Sequence, residues 1–191
     1  MIQIFCEIYN LLDINMKRTL ITISFFLAIW ALYKTARYLY FKPAVHEGEV
    51  ALPINVQLKD GSFFNLSDLK GKYVLLHFWG SWCLPCRRES PSIKALYDEF
   101  NGKKFRNADG FEILSIGIES SKSRWQSAII GENFNWKFHT SDFLMFDSKI
   151  AKDYGIRQIP TLLLVGPNQQ ILGNSWTPDS VRKYLSDNIA K

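Results

Sequence analysis

In the stretch FWGSWCLPCRRESP, residues 78–91, two cysteines stand three positions apart. Thiols at that spacing can ligate a metal, form an inert bridge or pass electrons. A zinc site needs about four ligands. No second cysteine pair exists, and His46, His77 and His139 are scattered along the chain. A bridge between residues so close in sequence cross-links almost nothing. A redox dithiol is the strongest reading. Cys6, the third cysteine, has no obvious partner, and three cysteines are too few for a disulfide scaffold.

The elements around the pair suit that chemistry. YVLLHFW (73–79) is a nearly continuous apolar run, as expected of a strand buried on both faces. Pro85–Phe100 places Ile93, Leu96, Tyr97 and Phe100 at helical spacing, with Pro91 expected to kink the helix. Cys83 therefore falls at a helix N-terminus, where free N–H groups and the macrodipole stabilise a thiolate. Cys86 falls in the first turn, within reach of a mixed disulfide formed on Cys83. Pro85 suits that turn and stiffens the ring, while Arg87 and Arg88 add positive charge.

Farther along, INVQLKDGSFFNLSDL alternates around Asp60-Gly61 as a hairpin. FEILSIGI is a second buried strand, and Ser123–Ile130 reads as a helix. GENFNWKFHTSDFLMF is an aromatic-rich connection of ambiguous structure, in which Trp136 and His139 either line a partner groove or pack inside. Ser148–Tyr154 is a short helix ending at Gly155, TLLLVGPNQQIL two strands, and Asp179–Ile189 a closing amphipathic helix. Strands alternating with helices give an α/β fold with a central mixed sheet.

The chain before this domain differs in kind. Thr19–Tyr33 is uncharged and apolar, and its fifteen residues fall short of the roughly 20 that span a bilayer. Snorkelling Lys34 and Arg37 and the belt YLYF extend the effective span to Phe41. No A-x-A spacing or lipoprotein cysteine follows, so a retained anchor is favoured over a cleaved signal. The expected organisation is a segment 1–18, with Met16 as an alternative start, an anchor at 19–41, a polar tether at 42–52 and a domain at 53–191.

The net charge of +5 carries mixed signs with no basic stripe, which argues against nucleic-acid partners. With 47% hydrophobic, 15% aromatic and 21% charged residues, the domain is ordered.

FWGSWCLPCRRESP taken with YGIRQIPTLLLVGP resembles the thioredoxin fold, in its membrane-tethered ResA/TlpA-like branch. The resemblance covers about Pro53 to Lys191. It implies a thioredoxin-like domain behind an N-terminal anchor helix, at the inner (cytoplasmic) membrane with catalysis in the periplasm or extracytoplasmic space. The implied activity is thiol:disulfide oxidoreductase, reducing protein disulfides, apocytochrome c among them, with no cofactor and no metal. Its partners would be protein disulfides or dithiols and a membrane thiol–disulfide electron donor. Cys83 would be the exposed attacking thiol and Cys86 the buried resolving one, with Trp82 gating access beside Leu84 and Pro85. Pro160 would be cis and Ile159 would pair with the substrate backbone; from the sequence alone, a trans turn before the strand is the lesser alternative. Glu89 stands where ResA-like members carry a glutamate that tunes thiols and relays protons, although a first-turn Glu is also favoured by the helix dipole. His77 replaces the buried Asp of thioredoxins, as a neutral base or as a satisfied core residue. Two rival functions of the fold are a copper-binding chaperone, with His139 as a further ligand, and a thiol peroxidase.

Overall fold

The computed structural model describes residues 2–41 and 44–190, with side chains for 16–40 and 44–190. The chain divides into two units, 1–42 and 43–191. The first is a single helix, α1 (Ile2–Phe41). Its Met16–Tyr40 span has mean hydropathy 1.5 and exposed side chains. Twenty-five helical residues reach about 38 Å, enough for a hydrocarbon core of about 30 Å. Cys6 lies on this helix, but its side chain falls outside the described residues.

The second unit is built on β3 (Tyr73–Trp79), all seven residues of which are buried. Ahead of it come the antiparallel pair β1 (Asn55–Gln57) and β2 (Phe63–Asn65), the hairpin expected around Asp60-Gly61. After it follow α2 (Leu84–Phe100), β4 (Phe111–Gly117), α3 (Lys122–Gly131), β5 (Phe138–Thr140), α4 (Lys149–Asp153), β6 (Thr161–Val165), β7 (Ile171–Asn174) and α5 (Pro178–Asp187). The main sheet has the order β5-β4-β3-β6-β7; β3 pairs parallel with β4 and β4 with β5, while β6 pairs antiparallel with both β3 and β7.

Because successive strand residues face opposite ways, β3 divides the core in two. Tyr73, Leu75 and Trp79 join Ile93, Leu96 and Phe100 of α2 and Val181 and Leu185 of α5. Val74, Leu76 and Phe78 join Ile54, Phe64 and Leu66 and, from the α4 side, Ala151 and Tyr154. The helix α2 continues through Pro91 to Phe100.

Two sequence expectations change. The ambiguous aromatic stretch contains β5, whose three residues extend the parallel register Leu114↔Phe138 to Ile116↔Thr140. The tether is not free from residue 44 onward; Lys42 and Pro43 lie outside the described residues. Gly48 N–H donates to the Ile171 carbonyl and Ala51 N–H to that of Gln169, each at 2.8 Å, while Ile171 N–H donates to Glu49. These bonds cover the start of the β7 edge, and Val45 and Ala51 are buried. Gly155, at φ +66°, leaves room for Ala44, which a Cβ there would strike.

Candidate active site

The chain leaves the sheet at Trp79, turns through Gly80-Ser81-Trp82 and enters α2 with Cys83 as its N-cap. Cys83 N–H donates to the Gly80 carbonyl at 3.1 Å, and Cys83 Sγ accepts the Cys86 N–H at 3.2 Å. Pro85 occupies the first turn, where a missing N–H costs nothing. Cys83 and Cys86 are joined as a disulfide, with Cα atoms 5.3 Å apart.

Ile159-Pro160 is cis, and the Ile159 carbonyl oxygen lies 3.7 Å from Cys83 Sγ, placed to accept from the thiol once the disulfide is reduced. Trp82 folds over the turn, its Nε1–H donating to the Ile118 carbonyl at 2.7 Å. Gly80 permits this approach: a Cβ there would meet Trp82 Nε1 at 2.8 Å and Ile159 Cδ1 at 3.1 Å. Under this cover Cys83 retains 4% exposure against 1% for Cys86. The expected contrast between an exposed and a buried sulfur is thus small in the disulfide form. Exposure belongs instead to Trp82 (47%), Leu84 (58%) and Pro85.

Glu89 lies on α2 with one carboxylate oxygen, Oε2, enclosed and without a partner, and burial pushes its pKa up. Arg87 pairs with Glu132 at 2.7 Å, which diverts its charge from the thiols. His77 is fully buried in β3, stacked on Trp79, with Nδ1 3.2 Å from Ser115 Oγ. Ser115 in turn accepts the Trp136 Nε1–H at 3.0 Å. Burial, reinforced by His139, pushes the His77 pKa down to about 3. Such a ring favours its neutral form, and its enclosure between Trp79 and Phe134 is that of a packed side chain. His139 is also buried, with Nε2 2.9 Å from the Trp136 carbonyl; that nitrogen carries the proton, and burial lowers its pKa to about 4. Trp136 and His139 pack inside the domain and do not line a groove. Among the described residues, no group of three or more His, Cys, Asp or Glu side chains comes together to hold a metal.

One polar residue escaped the sequence reading. Glu119, 1% exposed, follows β4 and accepts both the backbone N–H of Ser81 and, at 3.0 Å, its hydroxyl. Parallel strands end on the same edge of a sheet, so residues after β4 stand beside those after β3. A carboxylate directly after a buried strand was the available signal.

A profile for thioredoxin-like proteins matches residues 71–171, more than half of the chain. The chain belongs to the thioredoxin-like family. Thioredoxin-like protein YneN of Bacillus subtilis is 30% identical over 138 residues, 71% of this chain and 74% of that protein. Thiol-disulfide oxidoreductase ResA of the same organism is 29% identical over 150 residues, covering 76% and 77%. The solved structure of a thiol-disulfide oxidoreductase from Bacteroides fragilis superposes with a TM-score of 0.64 at 28% identity, over 73% of this chain and 98% of that one. The thioredoxin-like assignment agrees with the sheet order, the cis proline and the disulfide at the helix start.

Proposed function

We propose that this chain is a membrane-anchored thiol:disulfide oxidoreductase that reduces protein disulfides outside the cytoplasm, apocytochrome c among them. The observation that carries the reading is the Cys83–Cys86 disulfide at the N-terminus of α2, beside cis-Pro160. In the reduced protein, the Cys83 thiolate attacks one sulfur of a substrate disulfide. A Cys83–substrate bond forms, the substrate S–S bond breaks, and one substrate thiolate departs and is protonated. Cys86 then yields its proton to Glu89 and attacks Cys83 Sγ. The mixed disulfide breaks, the second substrate thiol leaves with a proton, and two electrons have passed to the substrate.

Glu89 suits the proton step because burial raises its pKa toward the working range. Trp82 gates the dithiol, while Leu84, Pro85, Ile159 and Pro160 form the surface on which the substrate lies, its backbone extended beside Ile159. The helix α1 holds the domain at the inner (cytoplasmic) membrane, where a membrane thiol–disulfide donor returns the electrons. The test is an equilibrium titration against a dithiol redox buffer, read by thiol trapping. A reduction potential below about −220 mV is expected for a reductase, and one above about −150 mV contradicts that direction.

A further inference from the structure

A sulfur that reacts with Cys83 must come within bonding distance of an atom group that is only 4% exposed, so residues flanking the incoming disulfide press on whatever surrounds it. Trp82 and Leu84 are part of that surround. The loop 141–147 is another, contributed by a distant part of the chain: the Phe146 ring stands edge-on to Trp82, centroids 6.4 Å apart, and Leu144 beside it is 57% exposed.

The loop is tied down. Ser141 Oγ–H donates to the Gly117 carbonyl at 2.8 Å and Ser141 Oγ accepts the Phe143 N–H at 3.2 Å; Asp142 accepts the Leu144 N–H at 3.1 Å. Met145 N–H donates to the carbonyl of Glu119, whose carboxylate holds Ser81, so one residue ties the loop to the turn before Cys83. Phe143 packs on Trp125, and both Phe143 (φ +61°) and Met145 (φ +54°) take the left-handed conformation that bulky residues avoid. Single exposed leucines are ordinary, but Leu144 stands on a tied loop whose Phe146 ring meets Trp82, the residue before Cys83, and an exposed apolar side chain fixed on such a loop marks a contact surface.

We propose that the loop 141–147 is a recognition lip for an apolar side chain of the substrate polypeptide, so that this site favours disulfides flanked by apolar residues. The proposal rests on the thiol–disulfide exchange reading above and names the substrate chemistry that exchange selects.

The test uses the full-length protein in detergent, reduced and freed of reductant. Its probes are a small aromatic disulfide and two disulfide-linked peptide pairs, one with Leu beside each cysteine and one with Ser. The wild type is expected to prefer the Leu pair by about tenfold in kcat/KM, in line with partial burial of one apolar side chain. Leu144→Ser should bring that preference below about threefold, and Leu144→Met should restore it. Phe63→Ser, at an 87% exposed position on the β1–β2 hairpin, should leave the preference as it is. Equal rates for the two peptides in the wild type, or a preference that survives Leu144→Ser, overturn the lip. A dimer that Leu144→Ser dissolves, with equal peptide rates, makes the face an interface between copies and also overturns it. If the small disulfide and both peptides go unreduced, the exchange reading itself falls and takes the lip with it.

Discussion

At the scale of single residues, burial sets which protonation state each enclosed titratable group favours. Glu89 keeps a half-buried carboxyl with an unpartnered oxygen, which raises its pKa; His77 and His139 are enclosed among aromatic rings, which lowers theirs. The histidines carry a stability consequence. Their folded pKa values, about 3 and about 4, lie below the ordinary 6.5, so the fold favours the neutral rings. That contribution is complete above pH 6.5 and is lost as pH falls from there toward the folded values. At pH 5 the loss is on the order of 2 kcal/mol for each ring. Denaturant midpoints at pH 7 and pH 5 should show it, and His77→Asn should remove about half of the pH dependence. A flat profile would contradict the burial argument. The dithiol was legible because its spacing and position are local. The surroundings of His77 were not fully legible, because only Trp79 is near it in sequence, while Phe134 and Ser115 come from distant segments.

At the scale of elements, β3, the turn 80–82 and α2 were readable because an unbroken apolar run, a Cys-x-x-Cys pair and helical spacing follow in order. Glu119 and the loop 141–147 were not, because they reach the site only through the parallel pairing of β3 with β4 and β4 with β5. The strand β5 is three residues long, too short to show a period. Glu119 is the joint between these pieces. Glu119→Ala leaves the Ser81 N–H and hydroxyl without their acceptors, and the expected cost is about 1–3 kcal/mol for the backbone donor. Chemical denaturation measures that loss, and Trp82 fluorescence should report a displaced turn. An unchanged midpoint with unchanged emission would mean that the turn holds its shape without Glu119.

At the scale of the whole molecule, the sequence placed the start of the domain at residue 53, and the structure moves it back to about 44. Composition marked 42–52 as a tether because it is polar and holds Pro and Gly; the bonds to Gln169 and Ile171 that dock it lie at the other end of the chain. A chain starting at residue 53 should therefore be less stable than one starting at residue 44 by about 2–4 kcal/mol, from the lost burial of Val45 and Ala51 and the opened β7 edge. Equal thermal midpoints would show the strap to be dispensable. The most direct test of the account is to trap the mixed disulfide. Cys86→Ser, incubated reduced with a disulfide-linked peptide, should accumulate a covalent adduct at Cys83 detectable by intact mass, and Cys83→Ser should accumulate none. An adduct on Cys86 alone, or none in either variant, would contradict Cys83 as the attacking thiol.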